Sequence, residues 1–361
     1  MPTRYRNIFL FIGVAAVVVM LWTFDMSWDE VVGHVRRAGI WFPAVVLLWL
    51  PIYMMNALAW QIIINNGQDS EGGQTRLDGQ AVKDECDAND VSSRQLGYWR
   101  VLKYTISGYS LNSVTPVGLL GGEPYRIMEL SPLVGRARAA SSVILYAMMH
   151  IFSHFCFWLF SVGLFLVRYG HSLSWPMVAV LLLIIAFCLA GVYFFQTGYR
   201  HGLAMRTLRL FSHWPLIGSR IERYMQSHAE GIQEVDNQIA ALHAQRRTTF
   251  YGSLFLEFAA RMVGCLEIQF ILFIFTSDIS YWDCVLMQAF ASLFANLFFF
   301  IPMQMGSKEG GLAIVTDSLH MNAAYGVLTG LITRLRELIW VAIGLALIRF
   351  GNKNMVKPNK S

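Results

Sequence analysis

Long apolar runs alternate with polar, basic stretches along almost the whole chain. The runs cover about 8–24, 40–63, 139–167, 175–196, 250–277, 284–305 and 323–348, and no charged residue stands between Arg37 and Asp69. A helix rises about 1.5 Å per residue, so about 20 apolar residues cross a bilayer core. The pattern predicts six spanning helices, near 8–24, 40–63, 139–167, 175–196, 250–277 and 323–348. Two further segments, 101–122 and 284–316, are apolar but interrupted by Pro and Gly. They are read as re-entrant, dipping into the membrane and returning to the same side. The fold class expected is an all-α integral membrane protein in two halves, about 1–167 and 175–348, related as an inverted repeat.

Two stretches depart from this rhythm. Residues 65–97 have no apolar period and are rich in Gly and Asp, which predicts a flexible polar cytoplasmic insertion. In 197–249, Ile221, Met225, Ile232, Val235, Ile239 and Leu242 recur at helical spacing, and Arg200, Arg206 and Arg209 stand among Leu and Met. That reads as a cytoplasmic amphipathic connector, either lying on the inner membrane surface or linking spans in water. Arg4 and Arg6 precede the first run, yet no small-residue cleavage site follows, so the run is read as an uncleaved first span.

Composition and charge sharpen the picture. Of 361 residues, 55% are hydrophobic and 14% charged, against about 25% charged in an ordinary soluble domain. With the N-terminus inside, 21 of the 28 Lys and Arg residues fall in inner segments, three outside and four within membrane segments. This positive-inside bias places both termini and loop 65–97 in the cytoplasm. It also accounts for the net charge of +5 without any nucleic-acid partner. Cys86, Cys156, Cys188, Cys265 and Cys284 are far apart in sequence and form neither a zinc spacing nor a disulfide framework. No cofactor is expected.

The candidate chemistry lies first in the two broken segments. "NSVTPVGLLGGEPYR" (112–126) sets Glu123 seven residues after Pro116, and "IPMQMGSKEGG" (301–311) sets Glu309 seven after Pro302. Irregular backbone at membrane depth is costly unless it faces protein or a wet cavity. On this reading Glu123-Pro124 starts one half-helix, and Ser307 caps another that begins at Lys308. Each carboxylate then lies at a helix N-terminus, where the dipole favours it. It either meets a substrate or only holds the turn. The residues singled out for substrate binding are Pro116, Gly118, Gly121, Gly122, Glu123 and Arg126, with Pro302, Gly306, Lys308 and Glu309 in the second segment. "GLLGG" fits neither a Walker A loop nor a dinucleotide fingerprint.

More ionisable groups stand inside the spans. Glu257 and Arg261 are four apart and are expected to pair; Arg334 and Glu337 are three apart and share a face, with Arg336 pointing elsewhere. A charge at a helix centre costs about 2.5–3.5 kcal/mol on insertion scales, so these groups and Glu267 need partners. Arg261, Arg334 and Arg336 either form interhelical ion pairs or line a polar path that receives a lipid phosphate. His150 and His154 have the spacing of a metal pair, but no carboxylate joins them in the motif, and interhelical hydrogen bonding or packing is expected.

"TPVGLLGGEPYR" and "IPMQMGSKEGG" resemble the transmembrane, flippase-like family of lysylphosphatidylglycerol synthases, the membrane half of the bacterial multiple peptide resistance factor, which also occurs as stand-alone proteins. The resemblance covers nearly the whole chain in segment order. Gln304 and Met305 stand where family members are usually richer in Pro and Gly, and loop 65–97 is long for the family. The resemblance implies movement of an aminoacylated or related phospholipid between leaflets of the bacterial inner (plasma) membrane. In two-domain members a soluble C-terminal domain makes that lipid from aminoacyl-tRNA. Here "RFGNKNMVKPNKS" follows the last run directly, so a transporter without aminoacyl-transferase activity is expected. Its partners would be a membrane lipid and an envelope lipid-modifying enzyme encoded separately. Two other readings stay open: a membrane enzyme acting on a lipid or lipid-linked sugar, with Glu123 or Glu309 as general base, and a non-transporting scaffold for such an enzyme.

Overall fold

The computed structural model describes residues 38–66, 96–114, 119–201, 247–276, 278–297, 307–318 and 321–350, with residues 33 and 36 and short pieces of 208–237. The helices are α1 (Trp41–Asn66), α2 (Tyr98–Val114), α3 (Leu119–Val134), α4 (Arg136–Tyr169), α5 (Trp175–His201), α6 (Gly218–Ser227), α7 (Arg247–Leu272), α8 (Tyr281–Leu297), α9 (Ser307–Ser318) and α10 (Ala323–Phe350). No strand occurs among the described residues. The expected first span at 8–24, most of loop 65–97 and much of connector 197–249 lie outside them.

Among the described residues three helices are long and apolar enough to cross a membrane, within α1, α4 and α5. α7 and α10 have 26 and 28 residues. Their apolar character is interrupted by Glu257, Arg261, Glu267, Arg334, Arg336 and Glu337, all on helices that pack inside the bundle. α5 is the opposite case. It packs on α4 and leaves Val180, Leu182, Leu183, Phe187, Leu189 and Tyr193 exposed, as a lipid-facing helix does.

The bundle repeats itself. In the first unit α1 is followed by the helix pair α2–α3 and then the long α4; in the second, α7 is followed by the pair α8–α9 and then the long α10. Within each unit the pair packs on itself and its second helix packs on the long helix. Across units α2 packs on α10, and correspondingly α8 on α4; α1 and α7 form the most extensive helix contact of all. Two units with the same helix order and the same packing are the arrangement that an internal repeat produces.

The first broken segment is larger than the 101–122 expected. It is a helical hairpin running to Val134, with Gly108 inside α2 and Gly121 and Gly122 inside α3 rather than in a loop. Gly122 lets the two backbones approach: a Cβ on it would collide with the Gly108 carbonyl oxygen, and one on Gly108 would collide with the Arg126 guanidinium. α3 gives way to α4 at Gly135, whose φ of +84° an L side chain resists.

Candidate functional site

A cavity of about 260 Å³ opens between α1, α2, α4, α7, α8 and α10. Its lining follows helical periodicity. Glu257, Ala260, Arg261, Gly264 and Glu267 form one stripe of α7, and Trp49, Ile52, Tyr53 and Asn56 form one stripe of α1. α4 supplies His150, His154 and Phe157, and α10 supplies Arg336, Glu337 and Trp340. Both units thus contribute acidic, basic or imidazole groups to one space inside an apolar bundle.

At one end, His150 Nδ1 lies 2.8 Å from Glu257 Oε2 and 3.2 Å from the Tyr109 hydroxyl. Arg261 does not pair with Glu257 across the turn, as its spacing predicts. Its Nη2 donates to the His150 carbonyl at 2.6 Å and its Nε to Ser153 Oγ at 2.7 Å, while Nη1 meets His154 Nε2 at 2.9 Å. α4 offers three acceptors spaced along one face, and a guanidinium fork satisfies them better than it would a carboxylate on its own helix. A guanidinium only donates, so His154 Nε2 accepts and its proton sits on Nδ1. Glu257 is 1% exposed, and its Oε1 has no hydrogen-bond partner among the described residues.

At the other end, Arg336 forks onto Glu267, Nε to Oε1 at 2.9 Å and Nη2 to Oε2 at 3.1 Å. Trp49 Nε1 donates to the same carboxylate at 3.0 Å, and the guanidinium lies 3.8 Å from the Trp49 ring centroid. Glu337 is 3.7 Å from Arg336. The expectation that Arg336 points away from Glu337 is therefore corrected: the side chain turns toward α7 because the forked carboxylate of Glu267 is there. Arg334 is buried but is not part of the cavity wall.

The first motif stands beside the cavity, not in it. Glu123 was expected to open a half-helix, but α3 starts at Leu119, so Glu123 lies in its second turn. Asn112 of α2 meets the helix start instead, accepting from the Gly122 N–H at 2.7 Å and donating to Glu123 Oε1 at 3.1 Å. Arg126, 1% exposed, is 3.5 Å from Glu123 and stacks on Tyr109 at 4.9 Å and Tyr146 at 5.4 Å. Tyr109 lines the cavity, so Arg126 touches the site through one ring. Gly121 is buried within α3. Lys308 and Glu309 fall in the first turn of α9, which opens at Ser307. Pro116, Gly118, Pro302 and Gly306 lie outside the described residues.

Comparison of the chain with known families gives a match over nearly its whole length. The model of the lysylphosphatidylglycerol synthase TM region matches residues 10–344. The chain belongs to this family. It is an all-α membrane protein tied to lipid handling. No curated protein and no solved structure shows a significant match to it. The match takes in every residue that lines the cavity and stops just beyond Trp340 and Val341.

Of the residues singled out in this TM region from sequence, the structure brings Arg261 and Arg336 to the cavity, along with Glu257, Glu267, His150 and His154. Sequence reasoning passed over Trp49, Tyr109 and Gln288 as wall residues. A signal existed for α1, whose Trp49, Tyr53 and Asn56 repeat at helical spacing. Nothing in α2 or α8 marks Tyr109 or Gln288 out from their neighbours.

Proposed function

We propose that the protein moves an amine-bearing phospholipid, of which an aminoacyl phosphatidylglycerol is the example, between membrane leaflets, with its headgroup held in the central cavity. One observation carries the reading: a cavity of about 260 Å³ walled by Arg261, Arg336 and three carboxylates sits inside a bundle with an apolar outer face. Ligand pockets for whole drug-sized molecules run about 300–1,000 Å³. This one suits a polar headgroup while the acyl chains stay in lipid. Guanidiniums suit the phosphate, and carboxylates with the Trp49, Tyr53 and Trp340 rings suit the ammonium. On this reading the two units are inverted repeats, which gives two related sides against which such a site can open.

On this reading the protein acts in the bacterial inner membrane, with both termini cytoplasmic, as a carrier that leaves the lipid chemically unchanged. A separately encoded enzyme makes the lipid. In phosphatidylglycerol vesicles carrying lysylphosphatidylglycerol, reconstituted protein should speed the exposure of inner-leaflet amines to an impermeant amine reagent. Exposure no faster than in protein-free vesicles would overturn the proposal. A second reading, a lipid-modifying enzyme, has the carboxylate-backed imidazole of His150 in its favour as a general base. A covalently altered lipid in the same vesicles, seen by mass spectrometry, would select it.

A further inference from the structure

We propose that the His150–Glu257 pair is a proton-binding site within the cavity, and that its proton is exchanged for the ammonium of the bound headgroup. The inference rests on the lipid reading above and names what the cavity gives up when the lipid arrives.

The argument starts from the two ring nitrogens. Nδ1 is committed, 2.8 Å from Glu257 Oε2 with the Tyr109 hydroxyl at 3.2 Å. Glu257 can only accept from it, so Nδ1 keeps its hydrogen and the neutral ring carries its lone pair on Nε2. Among the described residues no group bonds to Nε2, and the His150 side chain is 28% exposed on a wall of the cavity. The far lone pair can take a proton from water or an N–H from an ammonium, but not both.

The surroundings single out this histidine. His154, one turn away, has its Nε2 lone pair held by Arg261 at 2.9 Å, so no site for a second proton remains on it. Arg261 also grips the His150 carbonyl at 2.6 Å, which fixes a permanent positive charge beside the pair. On the other sides are Tyr146, hydrogen-bonded to Tyr109 at 3.1 Å, and Arg126, stacked on both rings. Farther along the wall, Arg336 and Glu267 close on each other, with Glu337 near Arg336. Glu257 is thus the one carboxylate bonded to His150, and its Oε1 receives no hydrogen bond. An imidazolium relieves that unsatisfied charge. A headgroup ammonium relieves it equally, but imidazolium, ammonium and Arg261 together would set three positive charges around a single carboxylate.

The exchange balances simply. The Nε2–H bond breaks, the proton leaves to water, and the freed lone pair accepts an ammonium N–H; no bond in the lipid forms or breaks. Because the proton and the ammonium compete, lowering the pH weakens amine binding. Below the His150 midpoint the loss approaches about tenfold per pH unit. Phosphatidylglycerol, which has no amine, should escape this dependence.

The test uses full-length, ¹⁵N-histidine-labelled protein in phosphatidylglycerol nanodiscs, with and without lysylphosphatidylglycerol. The His150 signal, identified by its absence in His150→Gln, should titrate, and saturating lysyl lipid should lower its midpoint by about one pH unit or more, a tenfold competition. Calorimetry on the wild-type protein in two buffers of different ionisation enthalpy needs no variant. It should show about one proton released per lysyl lipid near the midpoint and none with phosphatidylglycerol. A His150 signal that is flat from about pH 5 to 9, the range in which histidines titrate, overturns the proton site. Lysyl lipid that binds without moving the midpoint or releasing a proton overturns the exchange alone. Lysyl lipid that binds at no pH defeats the lipid reading together with the exchange.

Discussion

Single residues at the cavity are held by bonds that their sequence spacing does not specify. Glu257 and Arg261 share a helix face, yet each finds its partners on α4. Arg336, one position from the face that holds Arg334 and Glu337, closes on Glu267 of α7. The need for partners was legible in the sequence, since six ionisable groups in two apolar helices are too costly to leave unpaired. The partners themselves were not, because they depend on which helices become neighbours. The Arg336–Glu267 bond gives a direct check. Glu267→Gln or Arg336→Gln alone leaves one buried charge without its counter-ion and should cost about 3–5 kcal/mol. The double substitution removes both charges and should recover a large part of that loss, read as the midpoint of thermal unfolding in detergent. A double variant no more stable than the worse single one would show that the pair is not coupled.

Among the helices, the hairpin α2–α3 shows how the same residue type carries two meanings. Pro and Gly in 112–126 mark a break, and the chain does pass from α2 to α3 there. Gly121 and Gly122, however, belong to the following helix, and Gly122 is small because the Gly108 carbonyl lies against it. A sequence cannot separate a glycine that bends the chain from one that admits a neighbour. Gly122→Ala should cost about 1–3 kcal/mol through overpacking of that crossing. Gly252→Ala, on α7 with open space around it, should be neutral or stabilise by about 0.5–1 kcal/mol through helix propensity. Equal stability of the two variants would contradict the close crossing. The long helices were easier to read. The apolar runs at 40–63, 139–167 and 175–196 correspond to α1, α4 and α5 within a few residues, because their hydrophobic length alone defines them.

For the whole molecule, the repeat of helix order and packing sets one unit against the other, and the cavity forms where the two meet. The two Pro- and Gly-broken segments were visible in the sequence; the junction of the units, which needs the three-dimensional packing of α1 on α7, was not. The orientation proposed here rests on the basic residues of the inner segments. Cys86 lies in loop 65–97, which makes it a native reporter. It should resist an impermeant thiol reagent in intact cells and react once the membrane is opened. Labelling of Cys86 in intact cells would reverse the orientation.

The central claim is that the lipid headgroup passes through this cavity. Gly264 lines it, and a Cβ there would meet only Ile52 Cδ1, at 4.0 Å. Gly264→Leu therefore adds bulk to the passage without removing a charge. The most direct measurement is the rate of lysylphosphatidylglycerol movement in reconstituted vesicles for wild type and Gly264→Leu at matched thermal stability. The account predicts a loss of about tenfold or more in the variant, equivalent to about 1.4 kcal/mol on the barrier. A folded Gly264→Leu protein that moves the lipid at the wild-type rate would contradict it.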